Sequence, residues 1–160
     1  MKKLFVALGL IMGSLHISYA EPASAQQVPG YYHHQFGKYR ITSLLDGTIY
    51  LDPKLFKNLS PAEKTKILTK YAAVNEKGIQ TSVNAFLVDD GKSLTLVDSG
   101  AASCFGPQLG SIAKNLELAG YQLANVKTVL LTHLHPDHVC GIAQNGKAVF
   151  PNATIYAHER

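Results

Sequence analysis

The chain has 160 residues, 46% of them hydrophobic and 16% charged, enough apolar material to bury a core and too little charge for a disordered chain. Fifteen basic residues stand against eleven acidic ones, and two lysines fall in the first three positions. Without those two the balance is thirteen to eleven, which implies neither a nucleic-acid-binding stripe nor a membrane-binding patch.

Residues 1–20 read as a secretory signal. Lys2 and Lys3 form the basic start, Leu4 to Leu15 the apolar stretch, and Ser18-Tyr19-Ala20 a small-x-small cleavage site. A second cut is compatible with Ala23-Ser24-Ala25, and an uncleaved anchor is disfavoured because the apolar run is short for a bilayer. The expected destination is the periplasm or the medium, with no membrane association after cleavage.

Residues 21–37, rich in Pro, Gln and Tyr, are expected to form an extended arm, with His33 and His34 as surface residues on it; residues 38–160 are expected to form the folded domain. Arg40–Leu45 and Thr48–Leu51 read as two strands around an Asp46-Gly47 hairpin turn. Ser60-Pro61-Ala62-Glu63 is a helix start, with Ser60 as cap, Pro61 in the first turn and Glu63 reaching back; the helix is expected to run to about Ala72.

Thr81–Val88 and Ser93–Val97 are β-rich and joined by the turn Asp89-Asp90-Gly91-Lys92. Pro107 is expected to open a helix with apolar positions Leu109, Ile112, Ala113, Leu116 and Ala119, stopped by Gly120. Val126–Leu131 is nearly continuous in apolar residues, the pattern of a strand buried on both faces, and Ala153–Ala157 is a last short strand.

The strand at 126–131 runs directly into Thr-His-Leu-His-Pro-Asp-His, which packs His133, His135, Asp137 and His138 into six consecutive positions. Imidazole nitrogens and a carboxylate are the donors zinc and related divalent ions prefer. On extended backbone His133 and His135 share a side. Pro136 favours an extended residue before it and turns the chain into a helix, at whose start Asp137 and His138 face the same cavity. The two histidines therefore suit one ion, and Asp137 with His138 a second. Two such ions sharing a water make hydroxide available near neutral pH and polarise the bond it attacks. Asp98, at the end of a strand, is either a carboxylate holding the outer N–H of a ligating imidazole or an ordinary turn aspartate. Cys104 and Cys140 could pair; Cys140 is otherwise read as a small buried residue on the first helical turn, in preference to a zinc thiolate.

Leu96-Val97-Asp98-Ser99-Gly100, Phe105-Gly106-Pro107, Ala119-Gly120-Tyr121 and Thr132-His133-Leu134-His135-Pro136-Asp137-His138 together resemble the metallo-β-lactamase superfamily, from about Tyr32 to His158, and look most like its methyl parathion hydrolase and acyl-homoserine lactonase branch. The resemblance implies an α/β architecture, the N-terminal half of an αββα sandwich with a mixed sheet and helices on one face. It implies up to two divalent ions, zinc first among them, with His133 and His135 on one and Asp137 and His138 on the other. It favours Asp98 as a support behind the ligands and makes Phe105 a substrate-pocket aromatic; a core phenylalanine is the alternative. Cys140 stands where relatives carry a glycine.

Members of the family supply one more histidine per metal and a bridging aspartate from their second half. Here only His158 and Glu159 follow as conventional ligands, at a position that is not a ligand in the family. The expected function is a secreted metal-dependent hydrolase of an ester, lactone or phosphotriester, with Asp137 also handling a proton at the leaving group. The alternatives are a truncated, catalytically incomplete fragment and a β-lactam hydrolase. A small-molecule substrate is the expected partner, together with the missing C-terminal half or a second copy of the chain.

Overall fold

The computed structural model describes residues 28–71 and 74–159. The signal segment and residues 21–27 lie outside them. Among the described residues, no helix is long and apolar enough to cross a membrane.

The chain builds one mixed sheet. Its strands are β1 (Tyr31–Phe36), β2 (Tyr39–Leu51), β3 (Val74–Asn75), β4 (Gly78–Asp89), β5 (Leu94–Val97), β6 (Val126–Leu130) and β9 (Thr154–Tyr156); β7 (Ala143–Gln144) and β8 (Lys147–Ala148) form a separate small hairpin. The spatial order is β1-β2-β4-β5-β6-β9, with β3 on β4. The first pairings are antiparallel; β5–β6 and β6–β9 are parallel. The parallel step needs a crossover, and α2 (Ile112–Leu118) supplies it.

Several sequence expectations are corrected by this arrangement. The described part of the expected arm is an edge strand: Tyr31–Phe36 pairs along its whole length with β2, and the tight turn falls at Gly37-Lys38. Asp46-Gly47 is no hairpin turn. The strand runs straight through it as a bulge, the register against β4 shifting between Leu45 and Gly47. The extra residue aims the Asp46 carboxylate into the interior, where it is fully buried. Gly47 is required there, because a Cβ would stand 2.0 Å from the Gln108 carbonyl oxygen.

The helix expected from Pro107 begins only at Ile112. Gly106 and Gly110 take positive φ (99° and 93°), so residues 107–111 are a loop rather than a first turn. The β6 strand is buried on one face only: Val126 and Val129 are fully covered, whereas Leu130 is 41% exposed.

The helix α1 (Pro61–Tyr71) follows its sequence signal closely. The Ser60 N–H donates to Glu63 Oε2 at 2.9 Å, the Ser60 hydroxyl donates to the same oxygen at 2.6 Å, and the Glu63 N–H donates back to Ser60 Oγ at 3.3 Å. These bonds hold the Glu63 carboxyl below its ordinary value, the Ser60 hydroxyl contributing most.

The core lies between one sheet face and α2. Leu44, Ala85, Leu87, Leu96 and Val129 from the strands meet Ile112 and Leu116 from the helix. The opposite face carries a row fixed by register, Tyr32–Ser43–Phe86–Val97–Leu130–Tyr156, in which Phe86, Leu130 and Tyr156 remain substantially exposed. One covered face and one half-apolar open face are what a single α/β half of a sandwich presents.

Candidate metal centre

The donor cluster sits where the sheet's central parallel strand gives out. After β6, the Leu131 N–H still donates to the Tyr156 carbonyl at 2.8 Å; the chain then leaves the sheet. His135 caps a four-residue helix, α3 (Pro136–Val139), in extended conformation (φ −70°, ψ 148°), and its carbonyl accepts from the His138 and Val139 N–H groups at 2.9 and 3.2 Å. Pro136 occupies the first helical position, where its missing N–H costs nothing.

This path brings all four expected ligands together. His133 Nε2 lies 3.0 Å from His135 Nδ1, with the two rings edge-on at a centroid distance of 4.5 Å. His138 Nε2 lies 3.2 Å from Asp137 Oδ2. The His133 and His138 rings are 3.9 Å apart, so the two pairs are neighbours.

Both pair distances bear on whether a divalent ion fits. Two donors each at a zinc–ligand distance from one tetrahedral ion stand roughly 3.3 Å apart, close to both observed separations. Each pair is therefore spaced as two ligands of one divalent ion would be. Among the described residues, no three histidine, cysteine or acidic side chains are placed to hold a single ion by themselves. His158 and Glu159 follow β9 and are exposed.

Behind the imidazoles stands Asp98. It follows β5 with φ 61°, its N–H donating to the Leu130 carbonyl at 2.8 Å, and it is nearly buried. Its Oδ2 lies 2.9 Å from His138 Nδ1, while Oδ1 accepts the Thr132 N–H at 2.8 Å. A carboxylate on Nδ1 favours the imidazole tautomer protonated there, which would leave Nε2 to ligate a metal ion held together with Asp137.

Thr132 is the residue that sequence reasoning missed. Its Oγ1 lies 2.9 and 3.0 Å from the two Asp98 oxygens and 3.0 Å from His133 Nδ1. With the hydroxyl donating to Asp98, Oγ1 can accept from His133 Nδ1–H, leaving His133 Nε2 as the lone pair toward His135. Its one legible signal was adjacency, a hydroxyl immediately before the cluster.

The adjoining loop is stitched to α3. Ser99 donates both its N–H (2.9 Å) and its hydroxyl (2.8 Å) to the His138 carbonyl, and the Gly141 N–H donates to the Gly100 carbonyl at 3.0 Å. A Cβ on Gly141 would lie 1.8 Å from the Ser99 carbonyl oxygen, so only glycine lets the two segments come this close.

Cys140 is neither an isolated buried thiol nor a thiolate ligand: it is disulfide-bonded to Cys104 across 36 residues, with Cα atoms 6.4 Å apart, within bonding range. The bridge brings the loop carrying Phe105, a residue 44% exposed, alongside the end of α3. On the other side of the same loop, Asp46 Oδ2 accepts the Ala101 N–H at 2.8 Å and Oδ1 the Ile112 N–H at 3.2 Å. His33, on β1, lies 2.8 Å through Nδ1 from Thr42 Oγ1, and His34 is exposed beside it.

Solved structures similar to this chain include hydrolases. A family model described as the metallo-beta-lactamase superfamily matches residues 78–159. The crystal structure of the hydrolase AbOPH in the beta lactamase superfamily is similar at 60% identity and a TM-score of 0.78, covering 82% of this chain and 45% of that one. AidC, a dizinc quorum-quenching lactonase solved with the product N-hexnoyl-L-homoserine, is similar at 29% identity and a TM-score of 0.68, covering 79% of this chain and 44% of that one. A probable metal-dependent hydrolase from Staphylococcus aureus shares the fold at 23% identity and a TM-score of 0.65, over 76% of this chain and 47% of that one. Among curated protein sequences none matches. The chain thus spans just under half the length of these solved relatives. With the family model covering half of its residues, this chain belongs to the metallo-beta-lactamase superfamily.

Proposed function

We propose that the chain carries the first half of the site of a secreted metal-dependent hydrolase acting on an ester, lactone or phosphotriester. The observation that carries this reading is the pairing of donors: His133 Nε2 with His135 Nδ1, and Asp137 Oδ2 with His138 Nε2, each at about 3 Å and backed by Thr132 and Asp98. Divalent ions, zinc first among them, supply such a site with an activated water nucleophile and a Lewis acid for the carbonyl or phosphoryl oxygen.

The protein's own part is positioning. Asp98 and Thr132 orient His138 and His133 so that their Nε2 lone pairs point inward. Asp137, partly solvent-exposed, is the group within reach to hydrogen-bond the leaving group and pass it a proton. Phe105 offers an apolar wall for the substrate's non-reacting portion. The hydrolase AbOPH among the similar structures supports hydrolytic chemistry, and the lactonase supports a lactone as one candidate substrate class. The disulfide supports export, since such bonds persist in oxidising compartments.

A second reading, a catalytically incomplete chain, is favoured by a specific observation: the described residues offer ligand pairs and no three-donor group, whereas a hydrolytic zinc normally has three protein ligands. One experiment separates the two. Metal content of the purified chain is measured beside turnover of a lactone, an aryl ester and a phosphotriester. Two tightly held ions per chain with turnover of one of these substrates is the hydrolase result. Less than one ion per chain, with no turnover, contradicts it and leaves the incomplete chain.

A further inference from the structure

We propose that the Cys104–Cys140 disulfide is the clamp that holds the Phe105 loop against the metal-ligand segment, and that a dithiol reductant releases this loop while leaving the ligand segment in place. The inference rests on the proposed reading of the site for its functional meaning, but its geometry stands apart from it.

The two partners of the bond are held very differently. On the Cys140 side, α3 and the turn after it are fastened by hydrogen bonds independent of sulfur: Ser99 N–H and Oγ–H to the His138 carbonyl, and Gly141 N–H to the Gly100 carbonyl. On the Cys104 side, the loop is fixed at its two ends. Ala101 and Ile112 donate to the Asp46 carboxylate, Ser111 donates to the Asp46 carbonyl at 3.1 Å, and Leu109 is buried against Val83 and Ala101.

Between those anchors the bonds are local: Cys104 N–H to the Ala101 carbonyl at 2.8 Å, Gln108 Nε2 to the Phe105 carbonyl at 2.9 Å, and Leu109 N–H to the Gly106 carbonyl at 3.4 Å. Among the described residues, the disulfide is the long-range bond of residues 102–108; besides it, the Gln108 backbone packs against Gly47 at the far end of the span. Gly106, with φ 99°, and Ala102, with φ 45°, add left-handed positions to that span.

The bond is also open to chemistry. Cys104 is exposed and Cys140 half-buried, so a thiolate can approach the sulfur of Cys104. A dithiol attacks that sulfur, the S–S bond breaks to give a mixed disulfide and the Cys140 thiolate, and the dithiol's second sulfur displaces Cys104. Two electrons and two protons pass to the protein, which ends with two thiols, and the reductant ends as a cyclic disulfide. Cys104 and Cys140 are thus positioning residues for the pocket wall.

Amide hydrogen exchange of the full chain, oxidised and after dithiothreitol, tests this without requiring turnover. The expected result is that exchange in residues 102–109 speeds up by about tenfold or more on reduction, that residues 138–142 and β5 keep their protection, and that reoxidation reverses the change. The Cys104→Ser, Cys140→Ser double variant should reproduce the reduced pattern in the absence of dithiol. Unchanged exchange at 102–109 would overturn the proposal, as would equal loss at 138–142, which would make the bond a general staple. Where the chain turns over a bulky aryl ester, reduction should raise KM and leave kcat nearly unchanged; a chain with no turnover refutes the hydrolase reading, while the exchange result still decides the clamp.

Discussion

Asp46 and Asp98 are the two buried aspartates of this chain's described core, and they do different work with the same group. Asp46 sits at a strand bulge and accepts only backbone N–H groups, from Ala101 and Ile112, so it secures the path of a loop. Asp98 sits at a strand end and accepts one backbone N–H, from Thr132, and then faces the Thr132 hydroxyl and the His138 ring. A carboxylate whose partners are all main chain is architecture; one that reaches an imidazole sets that ring's tautomer, and so belongs to the chemistry.

Substitutions should pull the two apart. Asp46→Ala strips acceptors from two buried N–H groups and should cost roughly 2–5 kcal/mol of stability, read by urea denaturation, with zinc affinity of the folded fraction held. Asp98→Asn keeps an acceptor for the Thr132 N–H and loses the carboxylate at His138. It should weaken zinc binding by about 10- to 100-fold, measured by competition with a chromogenic chelator, at a smaller cost in stability. A reversed pattern, with Asp98→Asn unfolding the chain and Asp46→Ala losing zinc, would break the comparison.

The exposed capping box of α1 gives a third carboxylate as a baseline, since it touches neither the core nor the site. Ser60→Ala should destabilise by about 1 kcal/mol and leave zinc affinity unchanged. The smallest effect is on acidification. The Glu63 carboxyl is held below its ordinary value of 4.5, so its contribution is present above that value and fades as the pH falls through the lowered one. Denaturation of the wild type and Glu63→Gln across that acid range should converge as the pH drops.

The same contrast explains what could be read from the chain before its structure. The capping box was legible because every partner lies within four residues. The ligand loop was legible because a strand, a proline and four donors are contiguous from 126 to 138. Asp46-Gly47 carries the same local signal as a hairpin turn. What makes it a bulge is the demand of Ala101 and Ile112, 55 and 66 residues away, for a buried acceptor. The helix expected at Pro107 is shortened for a related reason. Its apolar spacing is genuine, but Gly106 and Gly110 adopt left-handed backbone and Leu109 is drawn into a separate cluster with Val83. Leu130 read as a core residue because β-propensity and burial share an alphabet; which face of a sheet is covered is a tertiary fact.

Zinc uptake by the wild-type chain, compared with a His133→Ala, His138→Ala double variant by equilibrium dialysis, bears most directly on the claim that residues 133–138 converge on divalent ions. The account predicts that the wild type binds zinc and that the variant, which removes one donor from each pair, loses that binding while its far-UV circular dichroism is preserved. Equal zinc uptake by the two folded proteins would contradict it.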